Sequence, residues 1–179
     1  PDGKELAMAG DDGRLRLWEI KSRQLKEIKI HKGSINSVSF SPDGQELAIA
    51  GEDGKVRRSD LSGTLRAEFN SYQGSIKNIS FSPDGKLIAT TGTHGTVRLW
   101  TLSGQQVAEF KGHQNIVSSL GFSEDGKLLV TAGKGSGGMA ILWRVRGLDE
   151  LLTEGCNWLK DYLDTHPDDL KKLAVCQKR

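Results

Sequence analysis

The sequence predicts an all-β fold in which a short four-stranded antiparallel unit recurs side by side, and three observations carry that prediction. First, "FSPDGQELAIAGEDGKVRRSD" begins at Phe40, "FSPDGKLIATTGTHGTVRLWT" at Phe81 and "FSEDGKLLVTAGKGSGGMAILW" at Phe122, a step of 41 residues both times. Second, Gly3, Gly44, Gly85 and Gly126 keep the same step, so a fourth copy opens the chain. Third, the apolar runs between them are short and bounded by Gly, Pro, Asp and Ser. The 179 residues are 36% hydrophobic and 27% charged, with a net charge of +2, and no run of 18 apolar residues offers a membrane span. The charge is too small to recruit nucleic acid or an anionic surface unaided.

Within one copy, "INSVSF" alternates Ile35, Val38 and Phe40 around small residues and then turns at Pro42-Asp43-Gly44, where proline presets φ and glycine accepts a positive φ. "QELAIAG" reads as a buried strand, "EDG" as a hairpin turn, "KVRRSDL" as the third strand and "GTLRAEFN" as the fourth. Four strands in 41 residues, with glycine-rich turns, make one propeller blade. The chain divides into a partial blade over 1–30, blades over 31–71 and 72–112, a partial blade over 113–146, and a tail over 147–179. Three, four, four and three strands are expected in turn. Because Pro1 falls inside a repeat, a longer polypeptide is expected, with the ring completed by upstream blades or by a second copy.

"RLRLWEI", "TVRLW" and "AILW", with Gly112-His113 and the "SPDG" turns, resemble the WD-repeat family over residues 1 to 146. That resemblance implies a hydrogen-bonded staple in each blade: a His before the first strand, a Ser or Thr in the second, an Asp in the following turn and a Trp in the third. The first copy supplies Asp12 and Trp18, with Met8 at the hydroxyl position. The second supplies His31 and Asp53, with Ile49 and Ser59 at the other two places. The third has Thr90 and Trp100, with Tyr72 and His94 replacing His and Asp. The fourth has His113, Thr131 and Trp143 and no Asp. A charge-assisted bond is worth about 1.5–3 kcal/mol and a core aromatic about 3–5, so the second blade is expected to be the softest. The resemblance also implies a non-catalytic interaction scaffold or sensor module. Asp11, Glu52 and Thr93, on turns before the third strand, and Asn36, Lys77 and Ser118, near the first, are its candidate partner contacts.

Gly133, Gly135 and Gly138 stand in GxGxxG spacing, but a dinucleotide loop must open a helix, whereas "MAILW" reads as a strand. The turn is one lengthened by two residues against the third copy, and a nucleotide-binding enzyme fragment using 133–138 is the remote alternative. Arg14, Arg16, Arg57, Arg58 and Arg98 motivate a nucleic-acid-binding propeller, yet Arg16, Arg57 and Arg98 share side-chain parity with the Trp position, which places their stems between blades. His31, His94, His113 and His166 have no nucleophile or paired carboxylate at a motif spacing, so no enzyme activity and no cofactor are expected.

From Gly147 the composition changes. Leu148, Leu151, Leu152, Leu159, Tyr162 and Leu163 fall on one helical side, Pro167 stops that helix, and "DDLKKLAVC" reads as a second. Cys156, His166 and Cys176 match no zinc spacing, so no metal is expected. Two cysteines and no signal-like start point to the cytoplasm. The tail after "ILWR" resembles the ends of WD-repeat proteins from cyanobacteria and related bacteria, many of them signalling ATPases with a propeller sensor. It implies the C-terminal propeller part of a larger signalling protein.

Overall fold

The computed structural model describes residues 1–133, 138–145 and 155–166. Fourteen strands run in order: β1 (Glu5–Ala9), β2 (Arg14–Glu19), β3 (Gln24–Lys29), β4 (Ile35–Phe40), β5 (Glu46–Gly51), β6 (Lys55–Asp60), β7 (Leu65–Asn70), β8 (Ile76–Phe81), β9 (Leu87–Gly92), β10 (Thr96–Thr101), β11 (Gln106–Lys111), β12 (Val117–Phe122), β13 (Leu128–Gly133) and β14 (Met139–Arg144). They form four sheets, β1-β2-β3, β4 to β7, β8 to β11 and β12-β13-β14, with each strand beside its neighbours in sequence. The predicted three, four, four and three strands are therefore present. The segment that follows the glycine turn is strand β14, as expected, while Lys134 to Gly137 of that turn lie outside the described residues.

The second, third and fourth sheets share a bulge at the same place in their first strand. Ile35 pairs with Gly51 and Ser37 with Ala50, which leaves Asn36 as an extra residue; the same bulge recurs between Ile76 and Asn78 and between Val117 and Ser119. The bulged residues are thus Asn36, Lys77 and Ser118, one per repeat, and a bulge re-aims its side chain away from the ordinary pleat. The "SPDG" corners close identically: Ser41 Oγ donates to Asp43 Oδ1 and accepts the Glu46 amide, and Ser82 and Ser123 repeat this with Asp84 and Leu87 and with Asp125 and Leu128.

Apolar packing runs from sheet to sheet. Leu15 and Leu17 of the first sheet cluster with Ile35, Leu47 and Ile49 of the second, while Ala48, Ala50 and Val56 of the second cluster with Ile76, Ile79, Phe81, Ile88 and Trp100 of the third. Full burial of each large aliphatic side chain contributes about 1.5–3 kcal/mol, so these seams hold the array together. Polar stitches cross the same seams. Asn36 Nδ2 donates to Ile76 O at 2.8 Å, Asn78 Nδ2 to Ser118 O at 2.8 Å, and the amides of Ile79 and Phe81 donate to Ser37 and Ser39.

Residues 1–143 form one compact unit and 144–179 another. Within the described part of the second unit, residues 155–158 are helical and α1 spans Lys160–Thr165, in agreement with the predicted helix. Tyr162 stacks on His166 with ring centroids 4.2 Å apart. The predicted second helix from Asp168 and the stop at Pro167 lie outside the described residues, as do Leu148, Leu151 and Leu152.

Candidate protein-interaction face

The turns before β6 and β10, and their counterpart before β2, lie on one rim together with the loops that lead into β4, β8 and β12. The reason is steric. Gly13, Gly54 and Gly95 hold φ near 70°, and a Cβ on Gly95 would stand 2.2 Å from His113 O, on Gly54 2.7 Å from Gly74 O, and on Gly13 2.6 Å from His31 O. Only glycine lets the loop cross the turn so closely. Turn and loop are consequently one surface, and the staples lie beneath it.

The staple of the fourth sheet is complete in hydrogen bonds without a carboxylate. Trp143 Nε1 donates to Thr131 Oγ1 at 2.8 Å, and His113 Nε2 lies 2.8 Å from the same oxygen. The Thr131 hydroxyl also lies 3.5 Å from Ile141 O, so one oxygen joins the indole, the imidazole and the neighbouring strand. The third sheet repeats this with a different partner. Trp100 Nε1 donates to Thr90 Oγ1 at 2.8 Å, and Thr90 Oγ1 donates to Gln73 Oε1 at 2.5 Å. Sequence phase puts Tyr72 opposite His31 and His113, but Tyr72 stands exposed at φ 53°, and Gln73, fully buried, takes the place. Gln73 was missed because the exchange is a one-residue slip with no change in loop length. His94, at the Asp position, contacts Gln73 O at 3.1 Å.

The second sheet builds its staple from charge. His31 Nε2 lies 2.8 Å from Asp53 Oδ1, an ion-pair contact whose direction is poor for a hydrogen bond, and Asp53 Oδ2 holds Arg57 Nη2 at 2.7 Å. Burial pushes the Asp53 carboxyl up, but Arg57, the Lys55 amide and His31 outweigh it and leave the group below the ordinary carboxylate range. Ile49 and Ser59 fill the remaining two places, and the buried Ser59 Oγ has no partner. In the first sheet Asp12 pairs with Arg16 and is lowered chiefly by that bond, while Met8 gives Trp18 no hydroxyl.

The arginines that suggested nucleic acid are held by carboxylates. Arg16 lies opposite Glu27, Arg57 opposite Glu68 and Arg98 opposite Glu109 on the neighbouring strand, at 2.7, 2.8 and 3.3 Å. Arg14 also reaches Glu27, and Arg58 reaches Glu46 at 2.6 Å and Leu102 O in the next sheet. Glu27, Glu68 and Glu109 stand 41 residues apart, so the signal for this ladder lay in the repeat itself. Glu68 and Glu109 are lowered first by Lys55 and Lys111 and further by their arginines.

Of the six predicted contact positions, four make side-chain bonds. Asp11 accepts from Ser34 Oγ at 2.9 Å, Asn36 donates across the seam, Thr93 reaches Gln73 O at 3.4 Å, and Ser118 Oγ donates to Ala132 O at 3.2 Å. Glu52 and Lys77 make no ion pair among the described residues, and Glu52 is exposed. Among the described residues no group of three His, Cys, Asp or Glu could hold a metal, and Cys156 is disulfide-bonded rather than a thiolate ligand.

Comparison with known proteins extends this picture. A 54-residue segment is similar to Protein hir-1 of Neurospora crassa and to Protein HIR1 of Gibberella zeae, each 44% identical, and to Protein HIR1 of Chaetomium globosum at 43%. Each match covers 24% of this chain and 5% of the relative. These relatives are fungal and give no support to the bacterial kinship suggested by the tail. The model of the family "WD domain, G-beta repeat" matches residues 22–58, 63–101 and 104–144, in phase with the sheets described above, and the chain therefore belongs to the WD40-repeat family of protein-interaction modules.

Proposed function

We propose that this chain is a non-catalytic scaffold or sensor module, the propeller part of a larger signalling protein, and that partners bind the rim bearing Asp11, Glu52 and Thr93. One observation carries this reading. The chemically capable groups beneath the rim, His31, His113, Arg57 and Arg98, are engaged in structural contacts, whereas the rim repeats a glycine-fixed turn whose outward residue changes from Asp11 to Glu52 to Thr93. A rigid frame with variable outward side chains binds through surface complementarity. The carboxylates of Asp11 and Glu52 give that surface an acidic side, which favours partners with basic residues.

Affinity selection tests it with three baits: the wild-type chain, the Asp11→Lys/Glu52→Lys variant, and Lys86→Glu, which reverses an exposed charge on a turn at the other end of the strands. Proteins retained by the wild type and by Lys86→Glu but lost from the double variant support the rim. Retention by the double variant with loss from Lys86→Glu contradicts it.

A further inference from the structure

At the end of the strands opposite the rim, the seam between the second and third sheets opens into a cleft of about 270 Å³. Pro42, Asp43, Phe81, Asp84, Gly85 and Leu102 line it, with Glu46 and Arg58 on one wall. Backbone packing shapes the opening. Gly85 holds φ 70°, and a Cβ there would stand 3.6 Å from Pro42 Cδ, so the two proline–aspartate–glycine corners close on each other and bring their carboxylates to one mouth. The seam between the first and second sheets repeats the cleft in phase, with Phe40, Asp43, Gly44 and Leu61 among its lining residues.

The cleft is anionic after its own bonds are made. Asp43 Oδ1 accepts from Ser41 Oγ and the Gln45 amide, and Asp84 Oδ1 from Ser82 Oγ and the Lys86 amide. These bonds, the serine first, hold both carboxyls below the ordinary carboxylate range, so both are ionised at neutral pH. Among the described residues Asp43 Oδ2 has no ion pair, and Asp84 Oδ2 meets only Lys86 Nζ, at 3.8 Å. Glu46, in contrast, is taken by Arg58 at 2.6 Å. Arg58 therefore offsets one of three carboxylates in the cleft, and a concave site lined by one sign of charge concentrates the opposite sign.

An independent observation shows what such a cleft accepts. Arg58 Nη1 donates to Leu102 O, and Lys26 Nζ donates at 2.9 Å to Leu61 O, the carbonyl one repeat earlier. Arg58 stands on β6 and Lys26 on β3, at different places in the repeat. Two seams thus draw a cation to the same carbonyl from different strands, so the site selects a charge rather than one residue carried along with the repeat.

We propose that the cleft between the second and third sheets binds a lysine or arginine side chain of a protein partner, its aliphatic stem on Pro42, Phe81 and Leu102 and its cationic head at Oδ2 of Asp43 and Asp84. The cleft lies at the other end of the strands from Asp11 and Glu52, so it stands or falls independently of the rim.

An NMR titration of the ¹⁵N-labelled 179-residue chain with acetyl-Gly-Lys-Gly amide, beside its Gly-Arg-Gly and Gly-Glu-Gly counterparts, reads the result. Saturable shifts are expected at the amides of Gly44, Gly85 and Leu102 with the two basic peptides and not with the acidic one. Asp43→Asn and Asp84→Asn keep the Oδ1 acceptor that closes each corner, and each is expected to weaken binding about two- to fivefold, the scale of an exposed ion pair. Asp125→Asn makes the same change in the fourth sheet, away from this cleft, and leaves binding unchanged. No saturable shift in the wild type overturns the proposal, and so does an equal response to the acidic peptide. Shifts centred on Glu52 and Gly54 would put the probe on the rim and overturn it while sparing the rim reading. Equal weakening by Asp125→Asn and Asp84→Asn would mean attraction to net charge alone and overturns it too. The wild-type shift map decides the matter even where a corner variant fails to fold.

Discussion

The second and fourth sheets fill the same slot with different chemistry. In the fourth, one threonine hydroxyl receives the Trp143 indole and serves His113, and Phe110 packs on that indole with centroids 5.2 Å apart. In the second, Ser59 stands where the tryptophan would be, Ile28 holds the in-phase place of Phe110, and the polar work passes to the His31–Asp53–Arg57–Glu68 series. The version without a carboxylate is bonded at each named atom, while the version with Asp53 leaves Ser59 Oγ unpaired and Arg57 Nη1 without a bond. The repeat thus keeps a buried polar connection between the loop and the third strand rather than a particular residue set. Gln73 in the third sheet makes the same point with an amide.

The third sheet supplies the sharpest break. Trp100→Ala removes a buried ring that packs on Phe69 and donates to Thr90, and a loss of about 3–5 kcal/mol in denaturant unfolding is expected. Thr131→Val comes next: it keeps shape but strands the Trp143 indole and His113, at about 1–3 kcal/mol. Ser59→Ala, by contrast, deletes a hydroxyl that already lacks a partner. It is expected to be neutral or stabilising by under about 1 kcal/mol, opposite in sense to Thr131→Val. Equal losses from Thr131→Val and Ser59→Ala would erase the comparison.

Acid separates the two staples in another way. The Asp53 carboxyl is lower in the folded chain than its usual 3.8, so its contribution is complete above about 3.8 and is lost as pH falls through the lower folded value. Asp43, Asp84 and Asp125 are lowered too, so the informative quantity is a difference between variants. Asp53→Asn is expected to flatten the fall in urea midpoint below pH 3.8, whereas Thr131→Val leaves that slope unchanged. An unchanged slope in Asp53→Asn would show that the second staple gains nothing from charge.

Much of this was legible in the residues. The 41-residue step fixed the strands, and parity placed the arginine stems between sheets, because a β pleat leaves no other choice. Trp100 bonds to Thr90 in the third sheet, and Trp143 and His113 meet at Thr131 in the fourth. Gln73 was not legible, since nothing in composition says which of two adjacent loop residues turns inward when Tyr72 accepts a left-handed backbone. The Glu27, Glu68 and Glu109 ladder was legible in principle but needed cross-strand pairing to be seen. The expectation of a soft second blade rested on staple bonds and on the bulk lost at Ser59. The structure shows β5 and β9 with the same burial along their length, because both are covered by neighbours on either side, while β1 and β14 are open.

Amide hydrogen exchange on the 179-residue chain tests that ordering. Peptides spanning β5 and β6 are expected to be protected like those of β9 and β10, with β1 and β14 exchanging first. If β5 and β6 instead exchange as fast as β1, coverage by neighbouring sheets does not set stability here, and the account of the array as sheets held by their shared seams is contradicted.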